Sequence, residues 1–286
     1  MRILLTAAAL LAASHAHGQL VVANDEDLSS SRPEAWAMNY VAASTLMTSF
    51  GATPALGPGQ WRLGLDLGHV PRLDDDQQTV GFAGSKREDL NKSPVFGRIR
   101  AAVGLTAGFV VDVGYTPPVT VDGTKARELL AVALGKRVYA RDAFNVSMRA
   151  FGQHGRAHGD ITCPAHLARA PLPENPFGCQ EPSNDRIVLN YYGIDATAAW
   201  SARPWHAYAT IGVNRTDLEV QVDALTFDVR DRSRLTARDT WPFLAIGASR
   251  DVDRHWTVAL ELLYVPLSVQ RTLEMRALGV SPAEEP

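Results

Sequence analysis

The dominant feature of the sequence is an alternation of apolar and polar side chains with a period of two, which is typical of strands that have one apolar face. It begins at residue 60, and over 61–68 four large apolar residues alternate with polar or small ones as WRLGLDLG. The same pattern predicts ten strands, near 61–68, 95–103, 109–116, 126–136, 144–154, 187–199, 206–217, 240–249, 256–265 and 267–276. We therefore expect an all-β fold with an even number of strands.

The segment before these strands has a different period. Ser31, followed by proline and glutamate, is typical of a capping box, and apolar residues then recur at helical spacing until Gly51. We predict a helix over 32–50, packed on the strands or forming a plug inside a barrel or at its periplasmic mouth. The residues predicted to pack it are Trp36, Tyr40 and Met47. Residues 19–30 are polar and are expected to be mobile, with the first ordered element at Ser31.

The first eighteen residues have the three parts of a secretory signal peptide. Arg2 precedes an apolar run of eleven residues, and small residues follow at positions 14, 16 and 18. This run is shorter than the roughly 20 residues that cross a bilayer as a helix, and no later stretch is long and apolar enough to do so. We expect cleavage after Ala16 or Gly18 and export of the mature chain.

The predicted connections mostly alternate between long and short. The long ones cover about 71–94, 155–186 and 218–239, and the short ones fall near 104–108, 137–143, 200–205 and 250–255. A tight hairpin is also predicted at Asp122-Gly123. Short turns on one side and long loops on the other are typical of antiparallel transmembrane β-barrels. We predict such a barrel, with about ten strands (8–12), over 60–278, after an N-terminal segment over 19–59 and before a tail over 279–286.

Aromatic residues stand where the two interfaces of a membrane would need them. With both chain ends on the periplasmic side, five of them lie where a strand leaves that side, and two lie at the opposite strand ends. The five are Trp61, Phe109, Phe144, Trp205 and Trp256, and the two are Tyr115 and Tyr264. We predict that these seven residues form interfacial girdles.

The polar faces of the first strands carry charges whose sign alternates from strand to strand. An unpaired ion in a low-dielectric interior is costly, so we expect these groups to meet in the lumen and to pair. The predicted lumen network consists of Asp66, Arg98, Arg100, Asp112, Arg149 and Glu261.

The two cysteines, Cys163 and Cys179, lie in one Pro-rich segment of a chain that we expect to be exported. In an oxidising compartment the default for such a pair is a disulfide. The alternative is a metal site with His154, His158 and His166, although the step between the cysteines does not match a zinc knuckle. We predict a disulfide that closes an outer loop, and neither a metal nor another cofactor.

No motif of high specificity predicts catalysis. A Gly-x-Ser-x-Gly elbow, a phosphate loop, a His-Glu-x-x-His pair and a dinucleotide fingerprint are all missing from the sequence. We interpret Asp74-Asp75-Asp76 as a solvated acidic loop, because calcium loops normally space their oxygens at alternate positions. The formal charge of −3, which becomes −4 when Arg2 leaves with the signal peptide, gives no electrostatic reason to expect nucleic acid as a partner.

The signal peptide, the two-residue period, the girdle aromatics and the long outer loops together resemble the broad class of Gram-negative outer-membrane β-barrel proteins. The resemblance implies a location in the outer membrane, with its lipid and the barrel assembly machinery as partners. Three functions stay open. The leading hypothesis is a structural or porin-like barrel for passive transport of small molecules. The others are a soluble periplasmic barrel that binds an apolar ligand, and an outer-membrane barrel enzyme that acts on lipid or peptide.

Overall fold

The computed structural model of the protein describes residues 20–253, 255–266 and 268–279, with side chains described as far as residue 266. The strands in chain order are β1 (Leu20–Val22), β2 (Asp25–Leu28), β3 (Trp61–His69), β4 (Thr79–Val80), β5 (Lys86–Arg87), β6 (Val95–Gly104), β7 (Phe109–Thr116), β8 (Thr120–Val121), β9 (Thr124–Arg141), β10 (Phe144–Gly159), β11 (Asp185–Ala202), β12 (Trp205–Gln221), β13 (Ala224–Thr226), β14 (Val229–Asp231), β15 (Arg234–Asp251), β16 (Trp256–Val265) and β17 (Ser268–Gly279). The helices are α1 (Pro33–Ser44), α2 (Asp75–Gln78) and α3 (Gly81–Gly84), with a 3-10 turn at Thr106–Gly108. No helix in these ranges is long and apolar enough to cross a membrane.

Ten long strands form a ring of antiparallel pairs in which each strand has a partner on both sides. Their order is β3, β6, β7, β9, β10, β11, β12, β15, β16 and β17, and β17 pairs with β3. Each of the ten predicted strands overlaps one of them. The total is higher than the predicted ten, because seven further short strands form in the N-terminal segment and in the connections.

The alternation of the sequence produces the two faces of the ring. On β3, the three leucines at 63, 65 and 67 are exposed on the outer face, whereas Asp66 is buried inside. On β11, Tyr192 and Ile194 face outward, and Tyr191 and Asp195 are buried inside. Along most of the ring, the larger aliphatic side chains of the strands therefore point outward.

The ring has two different ends, which we call the turn end and the loop end. Short connections at 105–108, 142–143, 203–204 and 252–255 lie at the turn end, and the long ones at 70–94, 160–184 and 222–233 lie at the loop end. The last two are shorter than predicted because strands continue further than the alternation does. β15, for example, starts at Arg234, where its backbone pairs with β2 as well as with β12.

The N-terminal segment crosses the ring from the loop end to the turn end. β1 pairs in parallel with β14, and β2 pairs in parallel with the start of β15, both at the loop end. α1 and the residues after it pass through the interior, and at the turn end the Gly59 N–H bonds to the Gly104 carbonyl at 3.0 Å. One expectation was therefore wrong: residues 20–28 contain two strands, because free strand edges at the loop end offer partners to them. The condition used for the girdles, that both chain ends lie on one side, is not met by the described residues, since Leu20 lies at the loop end and Gly279 at the turn end.

α1 is shorter than predicted at its C-terminal end. It begins at Pro33, and since proline takes the first helical position, Arg32 and not Ser31 stands at the N-cap, so the predicted capping box does not form. It ends at Ser44, well before Gly51, because the serine and threonine residues that follow favour other backbone bonds, and because side chains of the ring take the carbonyl of Thr45.

Inside the ring, α1 and the chain after it are packed on nearly all sides. Tyr40 and Met47 are fully buried, and Trp36 is half-buried with its ring stacked on that of Tyr40 at 5.7 Å. The apolar cluster around the end of the helix consists of Ala43, Leu46, Met47, Ala131, Ala133, Phe151, Tyr191, Trp241, Phe243, Ala245, Leu263 and Val265. The predicted signal peptide over 1–18, and the predicted tail apart from Gly279, lie outside the described residues.

Candidate functional site

Residues 45–53, which we call the lumen segment, fill the middle of the ring in an irregular conformation. The ring supplies the hydrogen bonds that this backbone lacks. The Tyr191 hydroxyl donates to the Thr45 carbonyl at 2.7 Å and accepts from the Met47 N–H at 3.0 Å. Further along, the Thr53 N–H donates to the Ser147 hydroxyl at 3.0 Å. The lumen segment is therefore fixed to the ring along its length.

Three buried arginines of the ring bind carbonyls of the lumen segment. Arg98 donates to Thr45 at 2.7 Å, and Arg100 donates to Thr48 at 3.1 Å. Arg149 donates to both Met47 at 3.0 Å and Thr48 at 3.2 Å. These three arginines belong to the predicted lumen network, but the sequence alone did not indicate that main-chain carbonyls would be their partners.

The arginines also pair with buried carboxylates. Arg100 contacts Asp66 at 3.3 Å and Asp112 at a shorter distance, and Arg149 contacts Asp195 at 2.6 Å. Asp195 was missed by the sequence analysis, although it stands at an inward position of a strand that alternates, a signal that could have identified it.

Two other members of the predicted network stand apart from these ion pairs. Arg98 lies directly across from Asp66 in the β3–β6 register, yet it donates to Gln153 at 2.7 Å. Glu261 is buried on the inner face of β16. The structure thus brings Asp66, Arg100 and Asp112 together, and the separate Arg149–Asp195 pair is linked to them through the Thr48 carbonyl, which both arginines bind.

The outer faces of β11 and β12 carry an apolar band that is nine residues long on each strand. On β11 it runs from Tyr192 to Trp200, so that an aromatic residue stands at either end. On β12 it runs from Trp205 to Val213, and the next outward residue is Arg215. The band continues around the ring with the exposed residues Leu63, Leu65, Leu67, Ile99, Leu130, Val132, Leu134, Met148, Ile211, Leu244, Ile246, Leu260 and Leu262. Nine to eleven tilted residues are about what a strand needs to cross a bilayer.

The aromatic residues singled out in the sequence all lie on the outer face. At the turn end these are Trp61, Phe109, Phe144, Trp205 and Trp256. Tyr115 and Tyr264 lie toward the loop end of their strands. Three further outward aromatic residues, Trp200, Tyr139 and Tyr192, were missed. Trp200 and Tyr139 lie near Phe144 at the turn end, beyond the predicted ends of their strands. Tyr192 was missed because it falls within a predicted strand and not at its end.

Beyond the band, the loop end of the outer face is charged. Arg186 contacts Glu219 at 2.8 Å on neighbouring strands, and Arg238 contacts Asp217 at 3.0 Å. The apolar band therefore ends at a row of ion pairs. Strands that crossed an apolar layer would emerge into water at this level.

The wall of the ring is incomplete between β6 and β9 at the loop end. β7 pairs with β6 only as far as Ile99 and Tyr115, and Pro117 soon ends the strand. Val95–Arg98 is paired with β3 on one side and, among the described residues, has no strand on the other. The predicted hairpin at Asp122-Gly123 joins β8 to β9 near this gap, and its two central residues have the positive φ angles that a tight turn requires.

A cavity of about 420 Å³, the wall cavity, opens at this gap. Most of its lining surface is apolar, although Asp89, Lys92 and Arg98 also reach it. Outward residues such as Leu67 and Val95 line it together with Tyr40 and Leu189 from the interior. The cavity therefore connects the outer apolar face of the ring with the space beside α1.

A second cavity of about 370 Å³, the outer cavity, lies at the loop end between α1, α3 and the ends of the strands. Met38, Phe82 and Leu235 are among its apolar walls. The two cavities share the lining residues Val41, Leu90, Ile161 and Ile187. They are therefore neighbours, and the side chains that line both of them are all apolar.

The charged side chains around the outer cavity are paired with one another. Arg32 contacts Glu26 at 2.8 Å and Glu34 at 3.0 Å, and Glu34 also accepts the Ala83 N–H at 2.5 Å. Burial acts to raise the pKa of Glu34, but the hydrogen bonds from Arg32 and Ala83 outweigh it, and the pKa lies below its usual range.

Glu88, also on the wall of the outer cavity, is paired with Lys86 at 2.9 Å. Burial raises the pKa of Glu88 to about 7, an effect that Lys86 offsets only in part. Lys86 in turn donates to the Thr162 carbonyl at 2.5 Å, which ties the first long loop to the loop that contains the cysteines.

The predicted disulfide between Cys163 and Cys179 is confirmed. It packs beside Val222 and Ala224 at the loop end. The cysteines are therefore not metal ligands, and in the described ranges no group of three or more His, Cys, Asp or Glu residues could hold a metal ion. The acidic run at Asp74 has a local role, because the Asp74 side chain caps α2 by accepting the Gln77 N–H at 2.8 Å.

No protein-family model matches the chain, and no curated protein matches it. Among solved structures it is similar to the outer-membrane protease OmpT of Escherichia coli, with 9% identity, coverage of 79% of this chain and 99% of that one, and a TM-score of 0.39. It is also similar to Ail, the attachment invasion locus protein of Yersinia pestis (8% identity, 77% and 97% coverage, TM-score 0.28), and to the toluene transporter TodX of Pseudomonas putida (9% identity, 79% and 68% coverage, TM-score 0.32). At these values the resemblance to outer-membrane proteins is one of class, and no activity follows from it.

Proposed function

We propose that the ten-stranded ring is a transmembrane β-barrel of the outer membrane of a Gram-negative bacterium, with its turn end in the periplasm and its loop end outside. The observation that carries this proposal is the apolar band on the outer face, where Leu260 is 64% exposed, around an interior in which Asp195 is 4% exposed. In water such a surface would be unfavourable, because apolar side chains are stabilised by removal from water. A soluble barrel with an internal apolar ligand would have the opposite arrangement.

Cell fractionation tests the location. We expect the mature protein to leave the membrane fraction only with detergent, and to migrate differently on a gel before and after heating. Release of the protein by salt or by osmotic shock would support the soluble alternative and contradict the proposal. The predicted signal peptide and delivery to the barrel assembly machinery belong to the same proposal, and amino-terminal sequencing of the membrane-bound protein tests the first of them.

The function that the geometry supports best is passive passage of small apolar molecules between the outside and the membrane. Passage along the axis is obstructed, because the lumen segment is held by Arg98, Arg100 and Arg149. The outer cavity and the wall cavity offer an alternative path that is mostly apolar and ends at the gap between β6 and β9. An apolar molecule would leave the barrel sideways, at the height of Tyr115.

Narrowing the gap tests this path. Gly97 faces outward on β6 and lines the wall cavity, and a Cβ there would make only ordinary contact with Leu67, at 3.5 Å. We therefore expect Gly97→Trp to fold and to obstruct the mouth of the cavity. Entry of an apolar fluorescent probe into cells should fall toward the rate of cells that lack the protein.

The matched control is Ala101→Trp, on the same face of the same strand but away from the wall cavity. This variant should leave the entry rate unchanged. If both variants retain the parent rate at equal amounts of folded protein, the sideways path is contradicted.

A further inference from the structure

The outer cavity is apolar, but its wall includes charged side chains. These are Glu26, Arg32, Glu34, Glu88, Asp185 and Asp231. Whether the cavity can hold an ion depends on how many of these groups have charge or hydrogen-bonding capacity left for a ligand.

Each of the six is already engaged. The one cation, Arg32, donates to both Glu26 and Glu34 through three of its nitrogen atoms. Glu88 has Lys86 as its partner.

The two aspartates are held by the protein backbone. Asp185 accepts the N–H groups of Ile161, Thr162 and Asp223, at distances of 2.7 to 3.1 Å. Asp231 accepts the N–H of Ser233 at 2.8 Å. The one cationic group of the wall, Arg32, is thus paired with two carboxylates, and the wall has a net negative charge.

We infer that the outer cavity accepts neutral apolar molecules and rejects carboxylates of the same size; this inference rests on the proposed function of the cavity as an entrance. A carboxylate that entered would lose its water without gaining a partner, because Arg32 cannot turn to it unless it leaves a glutamate unpaired. Burying an uncompensated charge costs far more than burying a hydroxyl group.

Binding of two probes with one chain length tests the inference. The probes are hexan-1-ol and hexanoate, added to the full-length protein in nanodiscs at about pH 8, where hexanoate keeps its charge. The readout is the NMR signal of the Met38 methyl group, which is buried on the wall of the outer cavity and is assigned with Met38→Leu. We expect saturable shifts with hexan-1-ol, and an affinity at least about tenfold weaker for hexanoate.

A variant that frees the cation should change the selectivity. Glu26→Gln together with Glu34→Gln keeps the size of both side chains but leaves Arg32 without a carboxylate, so hexanoate should gain affinity while hexan-1-ol keeps it. The control is Asp217→Asn, which breaks the exposed pair with Arg238 outside both cavities and should alter neither probe.

The possible outcomes separate the two proposals. If no probe shifts Met38 in the parent protein, the outer cavity is not an entrance and the proposed function fails. If hexan-1-ol binds but hexanoate binds as tightly, the entrance stands and its selectivity against carboxylates is overturned. The parent protein alone decides between these outcomes, so the test remains valid even if the double variant fails to fold.

Discussion

Arg100 is the residue on which the interior of the ring depends most directly. It contacts Asp66 and Asp112 and also binds the Thr48 carbonyl of the lumen segment. The loss of one partner from a buried ion pair is costly because the remaining charge stays out of water. We expect Arg100→Met to lower the free energy of unfolding by about 3 to 5 kcal/mol, measured by urea unfolding of protein folded in lipid vesicles.

A second variant shows whether the effect comes from the charges. Arg100→Met combined with Asp66→Asn and Asp112→Asn should recover much of the lost stability, because no uncompensated carboxylate is then left beside residue 100. Arg141→Met, which removes only an exposed contact with Asp142, should change stability by less than about 1 kcal/mol. If the Arg100→Met protein were as stable as its parent, the contribution of the Arg100 ion pairs to stability would be contradicted.

The stability of the first long loop should depend on pH through Glu88. Its pKa is raised to about 7 in the folded state from an ordinary value of 4.5. A carboxyl group with a raised folded pKa contributes stability below its unfolded pKa, and this contribution is lost as pH rises through the folded pKa. Between about pH 4.5 and 7 the loop over 70–94 should lose on the order of 3 kcal/mol.

Hydrogen exchange in this loop, compared at each pH with Glu88→Gln, measures the loss. The glutamine variant cannot ionise and should show no such dependence, so the difference between the two proteins should grow as pH rises and become constant above about pH 8. A difference that stays constant from pH 5 to 8 would argue against a buried carboxyl group with a raised pKa.

Single residues also show the limit of what the sequence predicts. Alternation predicts an inner position for Asp66, Arg98, Arg100 and Asp112, because side chains of a strand alternate between two faces whatever its partners are, and all four are buried. It could not predict which charges pair. Arg98 lies opposite Asp66 in the register but binds Gln153 and the lumen segment, and that choice depends on a segment from elsewhere in the chain.

Among the elements, the strands were predictable and the helix only partly. The strands follow from a local period of two, and the ten long ones all overlap a predicted one. The end of α1 at Ser44 does not follow from helical spacing, which continues to Phe50. It depends on Tyr191 and Arg98, which bind the Thr45 carbonyl from other strands.

A charged substitution tests whether the outer side of β16 contacts lipid. Leu260 lies near the middle of this strand and is exposed on the outer face. If that face contacts lipid, Leu260→Arg should cost about 2 to 4 kcal/mol in the free energy of unfolding from vesicles. Leu172→Arg is the matched control, since Leu172 is equally exposed but lies in a long loop. Equal, small effects of the two variants would contradict the assignment of the lipid face.

For the whole molecule, the distinctive feature is the course of the N-terminal segment. Leu20 is at the loop end, whereas β17 ends beside Trp61 at the turn end. An epitope placed directly before Leu20 should therefore bind antibody on intact cells, if the loop end faces outward as proposed. The same epitope inserted in the turn after Asp142 should bind only after the cells are opened. If antibody bound both epitopes only in opened cells, this course of the chain would be contradicted.

The same course restricts the order of events during assembly. If the chain is exported as proposed, residues 20–44 leave the export machinery before the ring strands, yet they finish at the loop end of a ring whose seam joins β17, the last described strand, to β3. The segment must therefore be threaded while that seam is still open, or be pulled through afterwards past the arginines that now hold it. A rigid domain fused before Leu20 that folds ahead of seam closure would be too wide to pass, and its attachment should halt assembly at an open sheet.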